Sequence, residues 1–186
     1  MADHLLGWAN GAPLIAETIV SARLTLTPLR VEDADEMAPL LDDATLHAYI
    51  GGAPPAVDEL RERYRRQVVG HSPDGSQRWL NWIVRERQPV AAASPVHPVG
   101  TVQATVFDEA TRVVAEVAWV IATTYQGKGF ATEASQAMVA WLRANGVDRV
   151  VAHIHPHHEA SIAVARSLGL HRTDTVLNGE TRWCGT

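Results

Sequence analysis

The stretch Tyr125-Gln126-Gly127-Lys128-Gly129-Phe130-Ala131-Thr132-Glu133 constrains this chain more than any other. An apolar run, Val117 to Ile121, precedes it. Behind it Ala134, Met138, Trp141 and Leu142 recur at spacings that put them on one helix face. The order is therefore strand, glycine turn, helix. Two glycines two residues apart let the backbone turn tightly and bring its N–H groups close to a ligand. The helix behind the turn leaves its first N–H groups without intrahelical partners, and its dipole favours negative charge there. Together these features suit a phosphate or pyrophosphate. Lys128 and the Gln126 amide add side-chain donors. The spacing is not that of a P-loop, and the third glycine of the dinucleotide fingerprint is missing. A plain strand-to-helix turn that binds nothing carries the same two glycines.

The string also fits the pattern Q/R-x-x-G-x-G/A, with Gln126, Gly129 and Ala131 in its three slots. In this it resembles the coenzyme A pyrophosphate loop of the GNAT acyltransferases. A second block, His155-Pro156-His157-His158-Glu159-Ala160-Ser161 leading to Leu168-Gly169-Leu170, resembles the family's P-x-N-x-x-S/A segment and the short helix that closes on L-G-F. His158 stands where the family most often has Asn, Leu170 where Phe is usual, and Ala165 where many members carry a tyrosine. That last departure, with Ser161 and the opening Ala22-Arg23-Leu24-Thr25-Leu26-Thr27-Pro28-Leu29, is similar to the branch of ribosomal-protein alanine N-acetyltransferases. The resemblance runs from about Val20 to Thr175. It implies an α+β, GNAT-like fold with a mixed, mostly antiparallel central sheet flanked by helices. It also implies acetyl-CoA as acetyl-donor co-substrate, held by Gln126, Gly127, Lys128, Gly129, Phe130, Ala131 and Thr132. The backbone of Trp119, Val120 and Ile121 then falls beside the pantetheine arm, with His158 and Ser161 near the cofactor.

A chain of 186 residues has the size of one domain and is long enough to bury a sizeable core. The formal charge of −5 argues against a general nucleic-acid binder. Cys184 is the only cysteine, so no disulfide can form within the chain, which fits a reducing, cytoplasmic compartment. No apolar run is long enough to span a membrane, and the N-terminus lacks the basic and apolar regions of a secretory signal. The expected partners are acetyl-CoA and an amine acceptor, with no nucleic acid and no membrane, in a monomer or homodimer.

Residues 1–19 read as an irregular extension that packs Trp8 and Ile15 on the domain or on a partner subunit, and 20–186 as one domain. Strands are expected over Arg23–Leu29, Arg78–Arg85, Val99–Phe107, Val113–Ile121, Arg149–His155 and His171–Leu177, with Asp108–Arg112 closing a hairpin. Apolar groups on both faces mark Arg78–Arg85 as a buried strand. Helical spacing predicts helices over Glu32–Asp42, interrupted by Pro39, over Val57–Val69 with Leu60, Tyr64 and Val68 on one face, over the segment ending near Arg143, and over Glu159–Leu168. Asn145-Gly146 and Gly169 supply C-terminal stops, and Asn178-Gly179 a turn.

Direct acyl transfer, as the resemblance implies, needs a neutral amine, so a proton acceptor is wanted, often through water. The thioester carbonyl needs donors as charge develops on it. Glu116 is the first choice for the base or the positioner of its water, since a carboxylate within Ala115-Glu116-Val117-Ala118-Trp119 is out of place unless solvated or used. An outward-facing strand glutamate is the alternative. Ser161 is the candidate acid for the departing thiolate, or an ordinary helix serine bonding its own backbone. His158 contacts the cofactor or starts the helix. His153, His155, His157 and His158 invite a metal reading, and on a strand His153 and His155 share a face. No carboxylate or thiolate companion is evident and GNAT transfer needs no metal, so none is expected. Tyr49, the Gly51–Pro55 loop, Trp79 and Trp82 fall where the family's acceptor groove lies, and core packing accounts for the aromatics equally well. The leading function is an N-acetyltransferase acting on a primary amine by direct attack in a ternary complex. The rivals are a non-catalytic acyl-CoA-binding regulatory module and a structural domain whose glycine loop binds nothing.

Overall fold

The computed structural model describes residues 13–46, 53–87 and 97–186. Eight strands form one sheet: β1 (Ile19–Val20), β2 (Leu24–Pro28), β3 (Gln77–Glu86), β4 (Pro98–Glu109), β5 (Arg112–Ile121), β6 (Arg149–Ile154), β7 (His171–Leu177) and β8 (Glu180–Gly185). Their order across the sheet is β1-β2-β3-β4-β5-β6-β8-β7. Every neighbour is antiparallel except β5 and β6, which run parallel. A parallel pair needs a crossover. Here it is a short 3-10 turn at Thr123–Tyr125, the glycine turn, and the helix α3 (Phe130–Ala144). Further helices are α1 (Asp33–Leu41), α2 (Val57–Gln67) and α4 (Glu159–Ser167).

The two sheet faces have different partners because the strands alternate. Leu24, Leu26, Leu80, Trp82, Val102, Ala104, Ala115, Val117 and Val150 point to one face and pack with Phe130, Ala134, Met138 and Leu142 of α3 and with Ile162 and Ala165 of α4. Ile83 points to the other face and joins Ala34, Met37 and Leu41 of α1 and Leu60 and Tyr64 of α2. Those helices cover only part of that face, and the remainder borders a cavity.

Local chemistry explains the element ends. Glu59 accepts a hydrogen bond from the Ala56 N–H at 3.1 Å and so caps the start of α2. Pro39 removes one backbone donor inside α1, which ends two residues later. Asn178 (φ 52°) and Gly179 (φ 85°) make the tight turn between β7 and β8. Gly100 has a different reason to be glycine: a Cβ there would meet the Val120 carbonyl oxygen at 2.2 Å.

Several expectations need correcting. The segment after Asn178-Gly179 is a strand, and β8 inserts between β6 and β7, so β7 is the sheet edge. Val68 lies beyond α2 and is 44% exposed, off the buried face of Leu60 and Tyr64. Within the stretch read as an extension, Ile19 already pairs with Leu26, and Leu14 and Ala16 pack on the main core, while Ile15 is exposed. Trp8, Tyr49 and Gly51–Gly52 lie outside the described residues.

Candidate active site

β5 and β6 pair only over Val114–Glu116 and Arg149–Val151. Beyond that point β5 continues along β4 to Ile121, while β6 continues along β8 to Ile154. The two strands therefore separate. From Val117 onward the β6-side edge of β5 has no strand partner among the described residues, and the Ile121 carbonyl at its end is taken by the Gln126 amide. A cavity of about 680 Å³ lies against the gap. Glu116, Trp119, Val120, His153, His158 and Ser161 line it, as do Ala53 and Pro55 and, from α2, Arg63 and Tyr64. Burial, with Asp33 nearby, pushes the Tyr64 hydroxyl up to about 12, so it is a neutral donor at ordinary pH.

At the mouth of the split, His153 Nδ1 lies 2.9 Å from Glu116 Oε1. Sequence reasoning found no carboxylate companion for the histidines. The register supplies one, because Glu116 pairs with Val151 and His153 stands two residues further on the same face. No group of three or more potential metal ligands occurs among the described residues.

Trp119 Nε1 donates to Ser161 Oγ at 3.3 Å and so links β5 to α4 across the gap. The Ser161 hydroxyl keeps its own hydrogen to donate elsewhere. His158 starts α4: its Nδ1 accepts from the Ser161 N–H at 3.2 Å, which puts the ring proton of the neutral form on Nε2. Burial, with His155 adding to it, lowers the imidazole below its ordinary range and favours this neutral form. Ala165 is fully buried, so no side chain from that position reaches the cavity.

The glycine turn closes the far end of β5. Gly127 (φ 74°) and Gly129 (φ 79°) are both left-handed, and Gly129 caps α3. The Gln126 amide is turned back onto the loop and donates to the Ile121 carbonyl at 2.9 Å. Phe130 is buried under the loop, with Ala131 and Thr132 following in the first turn of α3. The Lys128 ammonium stands 5.1 Å from the Tyr125 ring centre. Arg23 was not singled out from the sequence, yet it braces this loop. Its Nη1 donates to the Lys128 carbonyl at 3.0 Å, its guanidinium lies 4.9 Å over Phe130, and its Nε pairs with Glu133 at 2.7 Å. No periodicity could show that contact, which spans 110 residues of chain.

Of the aromatics assigned to an acceptor groove, Trp82 is fully buried in the main core, donates to the Glu17 carbonyl at 2.7 Å and meets Trp141 edge-on. Trp79 borders a neighbouring cavity of about 440 Å³.

Residues 23–171 match the family model described as an acetyltransferase (GNAT) domain. The chain belongs to the GNAT acetyltransferase family. It is an acetyl-CoA-dependent N-acetyltransferase, with acetyl-CoA as the acetyl donor. It is 27% identical over 158 residues to an uncharacterized N-acetyltransferase p20 of Bacillus licheniformis, covering 84% of this chain and 83% of that protein. Its fold is similar to that of RimL, a ribosomal L7/L12 alpha-N-protein acetyltransferase solved with coenzyme A (TM-score 0.71, 18% identity, 91% of this chain and 97% of that one). It is also similar to the microcin C7 self-immunity acetyltransferase MccE, solved with acetyl-CoA and AMP (TM-score 0.68, 15% identity, 89% and 93%). No helix among the described residues is long and apolar enough to cross a membrane.

Proposed function

We propose that this GNAT acetyltransferase moves the acetyl group to a primary amine by direct attack within a ternary complex, with residues 20–186 as its one catalytic domain. The carrying observation is the gap between β5 and β6, which opens beside a proton-accepting pair and a hydroxyl within one cavity. The free edge of β5 at Val117–Ile121 gives backbone partners for the amides of the pantetheine arm. The first-turn N–H groups of α3, with Lys128 and the braced Arg23, set positive charge where the pyrophosphate would lie. With the thioester in the gap, an amine entering from the α1 and α2 side meets its carbonyl carbon near Glu116. The nitrogen loses a proton to the Glu116–His153 pair, the carbon–sulfur bond breaks, and the sulfur departs toward the Ser161 hydroxyl. The acceptor is a protein N-terminus or a small molecule, and Glu116, Glu180 and His153 make that side of the cavity suited to a cationic group.

The test is acetyl-CoA turnover, read as free thiol release, across a panel of simple amines and N-terminal peptides. At least one acceptor should give release well above the amine-free rate. Coenzyme A raising the melting temperature without any acceptor-dependent release would instead mark a non-catalytic acyl-CoA-binding module.

A further inference from the structure

Glu116 is the last residue of β5 in the parallel pairing, and His153 stands two residues past Val151, its partner, on the same face. Both border the cavity, and the imidazole is the more enclosed of the two, with its side chain 16% exposed against 46% for the carboxylate. A carboxylate can only accept, so in a 2.9 Å contact Nδ1 carries the hydrogen. A neutral ring then holds its lone pair on Nε2, which has no partner among the described residues.

We propose that His153 Nε2 is the atom that takes the proton from the attacking amine, and that Glu116 is a positioning residue which fixes the ring and steadies it once charged. This rests on the acetyltransferase reading above. An ordinary carboxylate is roughly six pH units less basic than an alkyl amine, and an ordinary imidazole roughly four, so the ring is the better matched acceptor near neutrality. A carboxylate behind Nδ1–H holds the productive tautomer and stabilises the imidazolium. As the carbon–nitrogen bond forms, Nε2 removes the nitrogen's proton. The carbon–sulfur bond breaks with its electron pair on sulfur, and the proton passes through solvent to the thiolate. Amide and free thiol result, and His153 returns neutral. The charged and titratable groups around the ring are Glu116 on β5, Arg182 and Glu180 on β8, His155 on its own segment, His158 at the start of α4, and Arg63 across the cavity on α2. Arg182 is the register partner of His153 and is itself engaged by Glu109 at 3.3 Å.

Two measurements test this on the full chain. The first is the ring tautomer, read from long-range nitrogen–proton NMR correlations at pH 8 and assigned by the signal missing in His153→Asn. A proton on Nδ1 with a bare Nε2 is expected, and a proton on Nε2 overturns the proposal whatever the acceptor proves to be. The second is thiol release with 2-phenylethylamine and with an alanine-terminated peptide as probes. Asparagine places an amide N–H near the position of Nδ1 and can still donate to Glu116, so it rescues a merely structural role. His153→Asn should lower kcat and kcat/KM together, about ten- to a thousandfold, and leave acetyl-CoA affinity unchanged. Glu116→Gln, which keeps the ring, should give a smaller loss, again with acetyl-CoA affinity unchanged. Wild-type turnover in His153→Asn, or a larger loss in Glu116→Gln than in His153→Asn, overturns the assignment. If neither probe is turned over although coenzyme A binds, the functional reading fails, and the tautomer still decides the ring's orientation.

Discussion

Replacing Glu133 by alanine should loosen the corner on which the glycine turn rests. Its Oε1 accepts from the Ser21 hydroxyl at 2.8 Å and from the Arg23 N–H at 2.7 Å, and its Oε2 from Arg23 Nε at 2.7 Å. One carboxylate in the first turn of α3 thus ties the helix to the corner between β1 and β2. The carboxylate is 17% exposed and the guanidinium 51%. The guanidinium finds water once its partner is gone, so its pairing counts for only about 0.5–1 kcal/mol. The Ser21 oxygen keeps its contacts with Leu24 and is not stranded. The main loss is the pair of bonds to Oε1, about 1–1.5 kcal/mol together after that exchange, and negative charge at a helix start adds about 0.3–1 kcal/mol. The sum is about 2–3.5 kcal/mol. For a chain of 186 residues that lowers the melting temperature by roughly 4–14 °C. Urea unfolding followed by tryptophan fluorescence should show the midpoint moving with the slope unchanged. The effect also has a sign in pH. Burial alone would raise the Glu133 carboxyl, but the Arg23 N–H, the Ser21 hydroxyl and the Arg23 guanidinium outweigh it and hold the group below the ordinary 4.5. A depressed folded value contributes stability that is complete above the ordinary value and is lost as pH falls through the folded one. The gap between wild type and Glu133→Ala should therefore be constant from pH 6 to 8 and close below about pH 4.5. A difference under about 0.5 kcal/mol at pH 7, the range of ordinary surface changes, or a gap unaltered down to pH 3, would refute the reasoning.

Gly129→Asp should fold, since the left-handed φ of 79° costs a side chain about 1–2 kcal/mol and its Cβ would meet only the Arg23 guanidinium at 3.5 Å, yet it should abolish coenzyme A binding by repulsion; unchanged affinity by calorimetry would remove the loop from the site. Ser161→Ala strands the Trp119 indole N–H, and if the hydroxyl assists the departing sulfur, kcat and kcat/KM fall together; a loss confined to cofactor affinity would give it a holding role, and no change in either would leave it as a partner of Trp119 alone. Gly100→Ala forces β4 from β5 at a 2.2 Å contact with the Val120 carbonyl and should cost about 3 kcal/mol or more, with weaker coenzyme A binding if β5 holds the cofactor as proposed; a loss below about 1 kcal/mol in denaturant would show that the strands yield there.

The features that the chain states by itself are local. The glycine turn and the helix behind it are legible because Gly127 and Gly129 must be glycine at positive φ and because Phe130 to Leu142 keeps a helical period. The strands on either side are legible for the same kind of reason, and so is the Asn178-Gly179 turn. The strand beyond that turn is not, because β8 is short and half-buried and its place between β6 and β7 depends on long-range pairing. Trp82 shows the limit for aromatics: an indole reads alike in a groove and in a core, and only the packing against Trp141 settles which. The candidate site divides in the same way. Glu116 and Ser161 stand out where they occur in the sequence. The partners that give them chemistry, His153 at 37 residues and Trp119 at 42, are neighbours only because β5 and β6 pair in one register and then part. Arg23 reaches Glu133 across 110 residues, and neither residue's own surroundings in the sequence mark the contact. Local periods and turn residues are properties of a few consecutive side chains, whereas register and strand divergence are set by the whole sheet closing on its cores.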